Sequence, residues 1–181
     1  GSLEAKAIGS NTYVAGIGGN ASMDAGEIII ESGKITAIGY YGAGIGGGGT
    51  TTGCGGKSGN ITIKGGIVIA ESAYGAAIGS GGSKEDIPGE VEEIRITGGT
   101  VMASTAASGR PIGTGAGSGQ EALTGGSLII SGGTVIASSN NGFELIQVAA
   151  LTNEGNVPVY LTRVQLEGVD SNKDIVAFRN L

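Results

Sequence analysis

The sequence contains no histidine, no tryptophan, one cysteine and three prolines. Without histidine, Ser-His-Asp triads, Cys-His dyads and most zinc sites are excluded at once. The single cysteine, Cys54, rules out an internal disulfide framework, and no base lies near it in sequence to make it a nucleophile. No apolar run approaches the roughly 20 residues of a membrane span. Ten Lys and Arg against 16 Asp and Glu leave a net charge of -6, which argues against a nucleic-acid partner. Glycine is abundant, 39 of 181 residues, yet proline is scarce and no every-third-residue period exists, so collagen is excluded. Short runs of Ile and Val recur too often for simple disorder. Gly1-Ser2 reads as a cloning remnant, which leaves room for a signal peptide ahead of it.

A repeat is present. Ala15-Gly16-Ile17-Gly18-Gly19 returns as Ala43-Gly44-Ile45-Gly46-Gly47, Ala76-Ala77-Ile78-Gly79-Ser80 and Arg110-Pro111-Ile112-Gly113-Thr114. A second block follows each (Ile28–Ile30, Ile61–Ile63, Ile94–Ile96, Leu128–Ile130), and a third lies behind it (Lys34–Ala37, Ile67–Ala70, Thr100–Ala103, Thr134–Ala137). Ile30, Ile63, Ile96 and Ile130 are spaced by 33, 33 and 34 residues, as are Ile35, Val68, Val101 and Val135. The blocks are short, β-branched and alternating, which is strand periodicity. The pairs Gly65-Gly66, Gly98-Gly99 and Gly132-Gly133 supply the positive φ of a tight corner. Three short strands per coil of about 33 residues, stacked unit on unit, predict an all-β, right-handed parallel β-helix of about four to five coils.

The expected inward columns are Ile17/Ile45/Ile78/Ile112, Ile28/Ile61/Ile94/Leu128, Ile30/Ile63/Ile96/Ile130, Ile35/Val68/Val101/Val135 and Ala37/Ala70/Ala103/Ala137. Leu3–Ile8 reads as the third block of a truncated earlier coil, and Phe143-Glu144-Leu145 falls where a fifth first block is due. Ile17 to Ile28 spans 11 residues and the next three equivalents span 16, so the additional Gly, Ser, Thr and charged residues are expected as loops on one flank. Glycine thins out after residue 148. The predicted division is a β-helix over 3–148 and a C-terminal β cap, or the start of a following module, over 149–181. In the latter, strands are expected at Val157–Leu166 and Asp174–Phe178 around a turn at Asp170–Lys173.

Chemistry is sparse. Gly44-Ile45-Gly46-Gly47-Gly48-Gly49 matches G-x-G-x-x-G, but no helix follows, and Gly56-Lys57-Ser58 lacks the leading glycine of a P-loop, where Thr51 stands. None of the four aspartates (Asp24, Asp86, Asp170, Asp174) follows a calcium-binding Gly-Gly-x-Gly-x pattern, and the acidic stretch around Glu85-Asp86 and Glu90–Glu93 reads as a solvated loop. Outward Arg95 shares no column with an acid, and Glu31, Lys64, Thr97 and Ser131 form another outward column without paired acids, so a glycosidase or lyase site is not expected. Neither a cofactor nor a metal site is predicted. Thr36, Ile69, Met102 and Ile136 make an outward strip expected to pack under the C-terminal segment. Tyr13, Tyr41 and Tyr74 each lie just before an Ile-Gly block, one per coil. They are the candidate binding residues, as a sugar-stacking edge; the competing role is to cover that corner of the solenoid.

Ala43-Gly44-Ile45-Gly46-Gly47-Gly48, followed by Gly59-Asn60-Ile61-Thr62-Ile63-Lys64-Gly65-Gly66-Ile67-Val68-Ile69-Ala70, resembles the glycine-rich repeats of large secreted or wall-anchored bacterial surface proteins. The likeness covers about residues 5–146, with Ala77 and Pro111 departing from the motif, and Val159–Leu166 resembles the segment that follows such repeats. These proteins are adhesin-like or carbohydrate-binding. The resemblance implies a non-enzymatic module, extracellular or at the cell surface, monomeric within a larger protein and not inserted in a membrane, with a glycan or host surface protein as partner. The alternatives are an accessory or degenerate polysaccharide-active β-helix and a pure spacer.

Overall fold

The computed structural model describes residues 1–9, 11–118, 125–163 and 175–178, with no helix among them. The first strand, β1 (Ser2–Lys6), stands alone ahead of four complete coils. These are β2 (Ile17–Gly18), β3 (Ile28–Ile30), β4 (Lys34–Ile38); β5 (Ile45–Gly46), β6 (Asn60–Ile63), β7 (Ile67–Ser72); β8 (Ile78–Gly79), β9 (Glu93–Ile96), β10 (Thr100–Thr105); and β11 (Ile112–Gly113), β12 (Ser127–Ile130), β13 (Thr134–Ser139). A fifth set, β14 (Ile146–Gln147), β15 (Ala150–Asn153) and β16 (Val159–Arg163), continues the stack, and β17 (Ile175–Phe178) lies beside β16. Three sheets result, ordered β2-β5-β8-β11-β14, β3-β6-β9-β12-β15 and β1-β4-β7-β10-β13-β16-β17. All pairings are parallel except β16 with β17. The chain is a parallel β-helix wound in the right-handed sense of parallel crossovers.

The register is the one the spacing predicts. Ile28 pairs with Ile61, Ile61 with Ile94, and Ile94 with Leu128. Ile35, Val68, Val101 and Val135 stack likewise, as do the alanines behind them. In the second coil Ile45, Ile61, Ile63, Val68 and Ala70 are fully buried, and the third and fourth coils repeat this. Four large aliphatic side chains per coil contribute about 6–12 kcal/mol of gross burial. Leu3 pairs with Ile35 and Ala5 with Ala37, so β1 is the remnant third strand of an earlier coil. The corner glycines Gly66, Gly99 and Gly133 have φ of 87°, 85° and 86°.

Three expectations need correction. The fifth first block is Ile146-Gln147, paired with Ile112-Gly113, three residues beyond Phe143. A 34-residue step moved it, and the loss of glycine at Gln147 hid the motif. The parallel stack runs on past residue 148 in the described strands: β15 pairs parallel with β12, and β16 with β13. Only β17 turns antiparallel, over the edge of β16, while residues 170–173 lie outside the described residues. The outward strip Thr36, Ile69, Met102 and Ile136 is half-buried and runs on to Tyr160 of β16 in the same column.

The third correction concerns the 16-residue spans. They are not simple loops. Residues 41–50 and 76–83 are buried, while the tips 51–54 and 84–86, and Lys57, Glu90 and Glu92 on the returning legs, are exposed. Each span leaves the sheet and returns, and the two legs hydrogen-bond through bare backbone. Gly48 N donates to Met23 O, Gly56 N to Gly48 O, Gly81 N to Gly56 O and Gly89 N to Gly81 O, at 2.7–3.0 Å. This zigzag climbs from coil to coil as a flange two strands of backbone thick.

The tightest approach is in the Ile-Gly column. Gly18, Gly46, Gly79 and Gly113 have φ between 128° and 143°, and a Cβ on Gly46 would overlap the carbonyl oxygen of Gly79 in the next coil. Both the backbone conformation and the space forbid a side chain. Gly79→Ala is therefore expected to cost more than about 4 kcal/mol and abolish cooperative thermal unfolding. Gly26→Ala, where the added carbon meets nothing and φ is not positive, leaves the midpoint unchanged. Circular dichroism melts check both; equal melts would disprove the close approach.

Candidate functional site

The connection from the third sheet to the Ile-Gly strand turns one corner in every coil, and this corner collects the aromatics. Its backbone is fixed by polar groups at the ends of the long strands. The buried Ser72 hydroxyl, at the end of β7, lies 3.1 Å from Tyr40 O and 2.9 Å from Gly42 O, gripping the peptide that enters Tyr41 and the one that leaves Gly42. Tyr41 N donates to Thr12 O, and Tyr74 N to Tyr40 O, so successive corners pair directly. The flange locks them from the other side: Gly49 N donates to Tyr13 O, Gly82 N to Tyr41 O and Ala116 N to Tyr74 O, at 2.6–2.8 Å.

With the backbones held one coil apart, the rings must stack. Tyr13 and Tyr41 are 5.0 Å apart between centroids at 23°, and Tyr41 and Tyr74 are 4.6 Å apart at 11°. Tyr40 meets the edges of Tyr41 and Tyr74 at 5.5 and 5.4 Å. Each such contact contributes about 0.5–1.5 kcal/mol beyond area burial. The three tyrosines singled out by spacing are thus brought together, in chain order, along the axis. Their geometry differs from a row of open platforms: Tyr41 is 8 % exposed, with a ring on either side, while Tyr13, Tyr40 and Tyr74 are half-buried. Tyr40, absent from the expected set, completes the cluster. Its adjacency to Tyr41 was the available signal.

The same corner continues with a cation. Arg110 takes the place that Ala43 and Ala76 hold in the earlier coils. Its guanidinium carbon lies 4.8 Å from the centroid of Phe143, which belongs to the next coil. Nη1 donates to Ser108 O and Gly115 O at 3.3 and 3.4 Å, while buried Nε has no hydrogen-bond acceptor. Asn141 ties the two coils here, its Nδ2 donating to Ala107 O and Gly109 O. Burial pulls the Arg110 pKa below its ordinary value and the charge of Glu144 pushes it back up; a guanidinium nonetheless stays charged.

Elsewhere the charges pair across or along the rungs. Lys64 reaches Glu31 at 2.8 Å, Lys57 reaches Glu90 at 2.8 Å, and outward Arg95 reaches Glu93 on its own strand at 3.1 Å. Such exposed pairs contribute about 0–1 kcal/mol each. Among the described residues, no group of three or more His, Cys, Asp or Glu is placed to hold a metal ion. Cys54 is a free thiol on an exposed flange tip.

Comparison with known proteins agrees with the architecture. A family described as a beta helix repeat matches residues 28–49, 61–82 and 128–149, each segment beginning at the second strand of a coil. No curated protein and no solved structure matches the chain.

The Tyr41 phenol is raised above its ordinary pKa of 10.0, first by burial and then by the charges of Tyr74, Tyr13 and Tyr40 once they ionise. A pKa raised in the folded state adds stability that is complete below the unfolded value and is lost as pH climbs through the folded one. Stability is therefore expected to hold to about pH 10 and fall beyond it, with one phenol ionising later than in the unfolded chain. Absorbance titration at alkaline pH reads this; in Tyr41→Phe the late step is gone. A late step that persists in that variant would assign it elsewhere.

Proposed function

We propose that the chain is a non-enzymatic module of a bacterial surface or secreted protein, which displays flange tips and outward side chains on a rigid rod and contacts glycan along the tyrosine corner. The supporting observation is the contrast between its two surfaces. Inward columns keep one kind of side chain from coil to coil. Outward columns vary from rung to rung: Ile29, Thr62, Arg95 and Ile129 in one, Lys34, Ile67 and then two threonines, Thr100 and Thr134, in another. A constant interior beneath a varied exterior suits a scaffold for presentation. The resemblance to adhesin-like surface repeats points the same way.

The stack refines how a glycan is met. Because the rings lie on one another, Tyr41 has no free face for a sugar, and contact falls to ring edges and phenol hydroxyls. On the half-buried Tyr13 and Tyr74, the hydroxyls serve as donors and acceptors for sugar hydroxyls. The test is an array of immobilised glycans probed with the protein and with the double variant Tyr13→Phe/Tyr74→Phe, which keeps the stack and removes two hydroxyls. Retention on at least one glycan, reduced about threefold or more in the variant, supports the reading; each lost hydrogen bond corresponds to about 0.5–1.5 kcal/mol. Absence of retention on every glycan would favour the spacer reading, for which the mutual burial of the rings speaks.

A further inference from the structure

We infer that Arg110 forms an anionic subsite at the C-terminal end of the tyrosine corner, and that the glycan bound there is acidic, placing a carboxylate or sulfate on the guanidinium. This rests on the tyrosine corner being the glycan-contacting edge and specifies the class of glycan.

Four observations carry it. First, the position is part of the same edge. Gly109 N donates to Ala73 O at 3.1 Å, and Arg110 Nη1 reaches the carbonyl of Gly115, the neighbour of the Ala116 whose N–H is bonded to Tyr74 O. The guanidinium therefore sits one rung beyond Tyr74. Second, the charge is out of place for packing. The equivalent positions in two earlier coils are fully buried alanines, so the corner closes without a long side chain. Third, the guanidinium is held but incompletely used. Phe143 covers it, two long hydrogen bonds engage Nη1, and buried Nε has no acceptor. Nη2 is in none of these hydrogen bonds and is not among the buried unpartnered atoms, so it is the nitrogen open to an oxygen from outside, and a guanidinium N–H makes its strongest bonds to a carboxylate or sulfate oxygen. Fourth, the setting selects. Among the described residues Lys6, Lys57, Lys64 and Arg95 are each within ion-pair distance of a carboxylate, whereas Arg110, Lys34 and Lys84 are in none of these pairs; of the three, Lys34 and Lys84 are exposed and Arg110 is half-buried against the Phe143 ring. With a net charge of -6, the chain as a whole repels anions, so an acidic ligand is held here by local contacts and not by a general field. Glu144, in the next coil, is the nearby negative charge acting on Arg110, and it competes with the ligand.

The experiment compares binding of polygalacturonate, its fully methyl-esterified form, dextran sulfate and neutral dextran to the intact chain by affinity electrophoresis and calorimetry. Preference for one or both charged polymers over their neutral counterparts by about tenfold is expected, the size of one charge-assisted contact, and it weakens with ionic strength. Preference for polygalacturonate alone identifies a carboxylate as the group bound, and preference for dextran sulfate alone identifies a sulfate. Arg110→Gln removes the preference and Arg110→Lys restores only part of it, while Glu144→Gln strengthens it. Equal binding of charged and neutral polymers, or a preference unchanged in Arg110→Gln, would overturn the subsite. Melting curves of each variant separate loss of binding from loss of fold. The two readings fail differently. Neutral glycan binding that is sensitive to Tyr13→Phe/Tyr74→Phe but indifferent to Arg110→Gln removes this subsite and keeps the tyrosine edge. An acidic preference that depends on Arg110 and ignores the tyrosine hydroxyls keeps the anion contact and removes the edge.

Discussion

Everything in this molecule depends on how closely one turn of backbone lies on the next. Parallel pairing fixes the separation of the coils, and the coil cross-section is small, so backbone atoms touch both within a sheet and between the two legs of the flange. Where they touch, no side chain fits: Gly46 lies under the carbonyl of Gly79, and Gly81 under that of Gly48. The glycine content that looks like low complexity is instead the stereochemical requirement of a fold whose layers meet through main chain. It also explains how so few side chains suffice. Each coil buries about four aliphatic groups, and the rest of its order comes from hydrogen bonds such as the Met23–Gly48–Gly56–Gly81–Gly89 zigzag. The backbone groups brought together there must find partners once they are out of water.

The same constraint builds the aromatic corner. Tyrosines placed once per coil, with their peptides pinned by Ser72 and by Gly49 and Gly82, have no freedom to spread. They stack at 4.6–5.0 Å, close to the usual separation of hydrogen-bonded strands, because Tyr41 N donates to Thr12 O and Tyr74 N to Tyr40 O and so ties each corner to the one before. Stacking is therefore a consequence of register before it is a source of stability. It also leaves Tyr41 without a free ring face, since Tyr13 and Tyr74 lie on either side of it.

The columns Ile28/Ile61/Ile94/Leu128 and Ile35/Val68/Val101/Val135 were legible because side-chain alternation and a step of about 33 residues both survive in one sequence. The flange was not. Hydrophobic periodicity reports where side chains go, and glycine has none, so segments that bury only backbone read as loops. The signal that existed was positional: Gly48 and Gly81, and Gly56 and Gly89, recur at the same 33-residue step as the isoleucines. The tyrosines were found by their place before each Ile-Gly block, but their mutual stacking follows only once the coils are in register. Arg110 was passed over because it stands where the pattern has alanine. The departure from pattern was itself the clue, since a core column changes character only where packing no longer decides it.

Gln147 shows the rule from its exception. It occupies the column of Gly18, Gly46, Gly79 and Gly113, yet its φ is not positive. A Cβ in this column points at the carbonyl of the following coil, and among the described residues no strand follows β14. With a φ that is not positive, the position accommodates a side chain, and the side chain is used: Gln147 Oε1 accepts from the buried Thr114 hydroxyl at 2.6 Å. Glycine in this chain is thus confined by geometry and not by composition, and residues with chemistry to offer enter where the ladders change, as Arg110 does ahead of β11 and Phe143 ahead of β14.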